Sequence, residues 1–126
     1  MNTKIFSPKQ HGINDYAFAA LQFLVPPLMG FNKKAIKLYQ VLGTGSLAYN
    51  ALTDTPVGLK PVITYDVHQK IDLANAATMA VVTFLPAIRK DKKALIGHIG
   101  FLALAAANIL LTDWDAAPQD EETSYQ

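Results

Sequence analysis

The chain reads as an all-α protein, a four-helix transmembrane bundle made of two tandem two-helix repeats. The repeat is the first observation. His11–Ala20 lies over His68–Ala77 at a shift of 57 with five of ten positions identical, including His11/His68 and Asp15/Asp72. Lys33–Asp54 lies over Lys92–Asp113 at a shift of 59 with seven identities in 22 positions, among them Lys-Lys at the start and Thr-Asp at the end. Self-similarity on this scale sets architecture before any motif does. Second, 17 uncharged residues separate Asp15 from Lys33, 16 separate Lys37 from Asp54, 16 separate Asp72 from Arg89 and 19 separate Lys93 from Asp113. A membrane helix needs about 20 mainly apolar residues, and each window reaches that with its flanks. Third, strand-forming sequence is confined to Val62-Ile63-Thr64-Tyr65, too short for a sheet. A soluble four-helix bundle is the alternative, favoured by a mean hydropathy of only +0.17 and by Gln40, Thr44, Ser46 and Asn50 in the second window. It would need polar stripes at a 3.6-residue period, whereas Tyr16–Gly30 and Ala94–Leu111 are apolar nearly all round.

The first segment runs from His11 to Phe31, with Ser7-Pro8 as its start signal and Pro26-Pro27 distorting its last turns. Its mid-chain counterpart argues that it is a retained helix rather than a signal peptide. Asn32 turns the chain, and the second segment, Lys33 to Asp54, returns antiparallel. Gly43, Gly45 and Ser46 give that segment small positions for close helix approach. Thr55 to Val67 holds Pro56, Gly58 and Pro61 and reads as a loop. The third segment is His68 to Ile88, with Pro86 late in it, and the fourth is Lys92 to Asp113. The domain layout is thus one domain over 1–126: repeat one at 11–54, linker at 55–67, repeat two at 68–113, and a mobile acidic tail at 114–126 with Asp115, Asp120, Glu121 and Glu122.

Composition excludes several function classes. The 126 residues contain no cysteine, which removes disulfides, thiol catalysis and iron–sulfur clusters. A formal net charge of +1, without interleaved basic and aromatic residues, removes nucleic acid as a partner. Glu121 and Glu122 are the only glutamates, so the Glu-x-x-His pattern of di-iron bundles is absent. No nucleophile elbow, phosphate loop or dinucleotide fingerprint occurs, and no catalytic residue is assigned.

Val25-Pro26-Pro27-Leu28-Met29-Gly30-Phe31, late in the first helix of a duplicated two-helix unit, resembles the SPW repeat of small bacterial membrane proteins, mainly through Pro26, Gly30 and Phe31. Valine stands where that repeat has serine and Pro27 where it has tryptophan, and the second copy keeps only Pro86. The resemblance implies a four-span architecture and assigns no site residue.

Antiparallel threading sorts the polar residues by end. One end holds His11, Asp15, Asp54, His68, Asp72 and Asp113 with both termini; the other holds Lys33, Lys34, Lys37, Arg89, Lys90, Lys92 and Lys93. The basic excess puts the second end in the cytoplasm, with both termini outside and a bacterial inner membrane as the expected location. Trp114 fits an interfacial anchor.

His11/Asp15 and His68/Asp72 are i,i+4 pairs, one turn apart on one helix face. A carboxylate there can accept an imidazole N–H and fix the tautomer, leaving the second nitrogen as base or ligand. The two pairs, with Asp54 and Asp113 from the other helices, form a candidate site for one divalent metal such as zinc. Charges at helix ends near water need no such function, and Asp15 and Asp72 suit helix N-termini electrostatically. Only His11 and His68 share a depth that bis-histidine haem would require. His98 has Tyr39 at its matched position and is expected to bond a neighbouring helix through Tyr39 or Gln40. The expected role is therefore that of a structural or accessory, non-enzymatic membrane component without cofactor, partnered by the lipid bilayer and by its own copies or a larger membrane complex. The alternative is a metal-binding or proton-handling membrane protein acting through the duplicated His-x-x-x-Asp pairs.

Overall fold

The computed structural model describes residues 4–119 and is all-helical, with no strand among those residues. Four long helices, α1 (Pro8–Met29), α2 (Lys33–Ala51), α3 (Tyr65–Val82) and α5 (Lys92–Leu110), are joined by a single-turn helix, α4 (Pro86–Arg89), between α3 and α5. Each long helix starts on a side-chain cap. Ser7, Asn32, Thr64 and Asp91 each accept a bond from a backbone N–H of the first turn, satisfying donors that have no partner within the helix. Pro8 follows Ser7 at N1, where a missing N–H costs nothing. Gly30, at φ 76°, ends α1 in the left-handed region and lets Phe31 turn inward, where it is buried.

The expected boundaries move: α1 runs Pro8–Met29 rather than His11 to Phe31, and α2 and α5 end at Ala51 and Leu110 rather than Asp54 and Asp113. The third segment starts at Tyr65 rather than His68, because Thr64 supplies the cap. It also breaks before Ile88. Leu85, forced out of the helical region by the proline after it, is extended at ψ 142°, and Pro86 opens α4. In contrast, α1 continues through Pro26 and Pro27 to Met29.

Helix α1 packs along α2, then meets α5, while α3 and α4 pack on α5. Gly43 makes the first packing possible, since a Cβ there would lie 3.1 Å from the Phe23 ring and 3.3 Å from Gln22 Cβ. Gly45 faces no neighbour within 4 Å and plays no such part. The buried apolar cluster of Phe31, Ala35, Tyr39, Met79, Val82, Ile88, Ala94 and Phe101 fills the end near the α1–α2 turn. At the other end the interior is polar. His11, His68, Asn50, Thr53 and Thr112 are each at most 1% exposed, while Leu24, Leu28, Val41, Val81, Ile96 and Leu110 are more than half exposed. Among the described residues one helix, α5, is long and apolar enough by itself to cross a membrane. The other long helices carry the buried His11, Gln22, Asn50, His68 and Asp72, and α2 and α3 also expose Lys37, Gln40, Thr44, Lys70 and Thr78.

Candidate metal centre

The site begins with two backbone clamps. The strand-like residues before α1 run beside the end of α5, with Phe6 N donating to Leu111 O at 3.0 Å and Asp113 N to Phe6 O at 2.9 Å. Residues before α3 run in the same way beside the end of α2, with Ile63 N donating to Leu52 O and Asp54 N to Ile63 O, both at 2.8 Å. The clamped residues are Thr112 and Thr53. In an extended stretch neighbouring side chains point to opposite sides, so when the threonines face inward the following aspartates face away. Asp54 accepts from Gln119, and Asp113 from the backbone of Asp115. The structure therefore brings together His11, Asp15, His68 and Asp72, and Asp54 and Asp113 are not in that group.

Donor and acceptor roles in the group follow from the threonines. Thr53 Oγ1 donates to Tyr49 O at 2.6 Å, and Thr112 Oγ1 to Asn108 O at 2.5 Å. Each hydroxyl has one proton, so toward the histidines it can only accept. His68 Nδ1 lies 2.7 Å from Thr53 Oγ1 and His11 Nδ1 2.7 Å from Thr112 Oγ1; both Nδ1 atoms carry hydrogen. Both Nε2 atoms then face the carboxylates. The short contacts cross between the pairs: His11 Nε2 to Asp72 Oδ2 and His68 Nε2 to Asp15 Oδ2 are each 2.8 Å, against 3.1 Å and 3.4 Å within the i,i+4 pairs. The tautomer is thus held by threonine, not by the carboxylate one turn away as the spacing suggested.

The outer carboxylate oxygens are also held. Tyr49 Oη donates to Asp72 Oδ1 at 2.5 Å and Asn108 Nδ2 to Asp15 Oδ1 at 2.9 Å. Asn75 in turn donates to Tyr49 Oη, and Asn14 to Asn108 Oδ1. On the loop side the Trp114 ring stands edge-on to His11 at 4.6 Å between centroids and packs on Tyr65 at 4.9 Å, its Nε1 bonded to Ile109 O. Gly12 belongs to this closure, since any Cβ there would collide with Val57 of the covering loop.

One ligating atom from each of the four residues lies within 4.8 Å of every other, so the group could hold a metal ion. A tetrahedron with bonds of about 2.0–2.1 Å has edges of about 3.3 Å. The four nitrogen–oxygen edges here are 2.8, 2.8, 3.1 and 3.4 Å. Haem between the two imidazoles is excluded by the carboxylates that fill that space.

His98 is elsewhere and is closed. Its Nε2 donates to Met79 O at 2.8 Å, with Thr83 Oγ1 at 3.0 Å, and its Nδ1 faces Tyr39 Oη at 2.5 Å. Both ring nitrogens are used, and Tyr39, not Gln40, is the partner. Thr53, Thr112, Tyr49 and Asn108 were not singled out from sequence as site residues. The usable signal was the repeated Thr-Asp dipeptide, of which the threonine is the member that reaches the centre. The chain matches no family model, no curated protein and no solved structure.

Proposed function

We propose that this protein is a small integral membrane protein, derived by tandem duplication, that holds one divalent cation such as zinc between His11, His68, Asp15 and Asp72 at its non-cytoplasmic end. The observation that carries the reading is the convergence of both Nε2 atoms and both Oδ2 atoms with the histidine tautomers locked from behind by Thr53 and Thr112. Metal-bound histidines are oriented in this way, by a partner on the other ring nitrogen. Two neutral imidazoles, two carboxylates and one dication sum to zero charge, which removes the main cost of burying them. Four protein ligands complete a tetrahedral zinc shell and leave no open position for water. That is the arrangement of a structural rather than a catalytic metal, and it fits an accessory, non-enzymatic role.

Metal analysis of the purified protein tests this. The expected result is one zinc per chain after equilibration with zinc and desalting, with His11→Ala and His68→Ala each abolishing it. A folded wild-type protein that binds no zinc, cobalt or manganese would overturn the reading.

Membrane insertion is supported by α5, which is long and apolar enough to cross a membrane, and by the apolar residues left on the outside, with Leu24, Leu28, Val41, Val81, Ile96 and Leu110 more than half exposed. It predicts that extraction needs detergent; a monodisperse protein recovered without detergent would contradict it. The chain has no cysteine, so single cysteines report orientation. Leu59→Cys, at an 84% exposed site on the α2–α3 loop, should react with an impermeant reagent in intact cells while Lys34→Cys and Lys90→Cys do not. Gly58 cannot serve, because a Cβ there would run into Thr53 O.

A further inference from the structure

The α1–α2 turn and the α4–α5 turn are locked side by side. Asn32, the cap of α2, donates through its backbone N–H and its side chain to Asp91, the cap of α5, at 2.9 and 2.8 Å, and its side chain also donates to Ala87 O at 2.7 Å. This junction gathers Lys33, Lys34 and Lys37 from α2 and Arg89, Lys90, Lys92 and Lys93 from α4 and the start of α5 at one end of the molecule. All seven are exposed. Asp91 is the one carboxylate among them, and its oxygens already accept from Asn32 and from the backbone of Lys93 and Ala94. Among the described residues none of the seven basic side chains makes an ion pair. Uncompensated like charges repel one another, and an anion from outside relieves them.

Apolar residues adjoin these charges. Leu28, in the last turn of α1, is 82% exposed, and Phe84, between α3 and α4, is 73% exposed. Arg89 Nε donates to Phe84 O at 3.3 Å, which holds the guanidinium beside Phe84. Lys93 Nζ lies 3.6 Å from where a Cβ on Gly30 would stand, two residues beyond Leu28. We propose that this end binds anionic phospholipids of the cytoplasmic leaflet, their phosphates against the basic side chains and their acyl chains against Leu28, Phe84 and Leu85. The inference rests on the membrane reading above. A free phosphate or a nucleic acid would use the cations alone, whereas a lipid uses the cations and the apolar residues beside them. Lysine and arginine suit that position, because their stems lie along apolar surface while their charged heads reach the headgroups.

The test uses the full chain reconstituted in phosphatidylcholine vesicles, with spin-labelled phosphatidylglycerol or spin-labelled phosphatidylcholine as the probe. Electron paramagnetic resonance reads the fraction of probe immobilised at the protein. Phosphatidylglycerol is expected to associate about fivefold more strongly, the ratio that corresponds to ~1 kcal/mol, the contribution of one basic side chain near an anionic surface. The preference should vanish in about 1 M salt, where the screening length is about 3 Å. Combining Lys33→Gln, Lys34→Gln, Arg89→Gln and Lys90→Gln should remove most of it with helix content unchanged, while Lys60→Gln with Lys70→Gln, at the opposite end, should leave it intact. Equal immobilisation of the two lipids in wild type would overturn this proposal alone. A preference erased by inorganic phosphate but not by chloride at equal ionic strength would also overturn it, since the surface would then bind free phosphate. No immobilised lipid of either kind would overturn the membrane reading and this proposal with it.

Discussion

His98 and the His11–His68 pair are all buried and all bonded at both ring nitrogens, yet they sit in opposite chemistry. His98, 14 residues and about 21 Å along α5 from Thr112, receives a phenol hydroxyl and gives its proton to a main-chain carbonyl. No charge is needed, and the surroundings are the apolar cluster of Tyr39, Met79 and Phe101. His11 and His68 spend one nitrogen on a threonine and turn the other toward two carboxylates. Burial does not distinguish the two places. What does is whether the partners of the outward nitrogen can exchange a proton for a cation. Carboxylates can; a carbonyl already bonded to an N–H cannot.

The sharpest way to break this contrast is pH. In the metal-free centre one proton lies in each of the two 2.8 Å nitrogen–oxygen contacts, and a cation must displace both. Zinc affinity should then fall about 100-fold for each pH unit downward, a slope of two protons. His98→Gln should leave that slope untouched. A zinc titration at several pH values with a slope near zero would show that the contacts hold no exchangeable protons.

Next in size are the threonines. Thr53→Val and Thr112→Val keep the shape and remove the oxygen that holds each Nδ1 proton, so each should weaken zinc binding by about 10–100-fold, as for other outer-shell partners. His11→Ala and His68→Ala should be non-additive, because loss of either ligand already abolishes the site. At the other end, Tyr39→Phe leaves His98 Nδ1 without its donor and should cost about 1–3 kcal/mol of stability, read by denaturant unfolding, with zinc affinity unchanged. A change in zinc affinity there would mean that the two ends are coupled.

The smallest effect belongs to Asp91, which joins the two helical hairpins. Its carboxylate takes the Asn32 side chain and backbone N–H at 2.8 and 2.9 Å and caps α5 at Lys93 and Ala94. The Asn32 side chain foremost, then these backbone N–H groups, hold its pKa below the ordinary carboxylate value. A carboxyl with a depressed folded pKa contributes stability above its unfolded pKa and loses it as pH falls through the folded one. Acid melting below the ordinary carboxylate range should therefore be slightly steeper in wild type than in Asp91→Asn. Equal acid profiles would show that this cap is not felt.

The recurrence of His11/His68 and Asp15/Asp72 at one shift made these residues legible in the sequence, although the aspartates lie two turns into α1 and α3 rather than at their N-termini, and the charge-free windows marked the long helices. Cross-pairing was not legible, since i,i+4 spacing is a local property and the 2.8 Å contacts join α1 to α3. Thr53 and Thr112 escaped for a related reason. Threonine near a helix end is an ordinary back-bonding residue, and only the clamps by Phe6 and Ile63 turn its hydroxyl into an acceptor for histidine. The break of α3 at Pro86, against the continuity of α1 through Pro26 and Pro27, follows tertiary demand, since α4 exists to bring the fully buried Ile88 into the apolar cluster.

X-ray absorption at the zinc edge of the loaded protein tests the cation site most directly. The proposed site requires a four-coordinate shell at about 2.0–2.1 Å with two imidazole nitrogens and two carboxylate oxygens, lost with the metal in His68→Ala and unaltered in His98→Gln. A shell of oxygens without imidazole scattering, or one that loses an imidazole in His98→Gln, would contradict it.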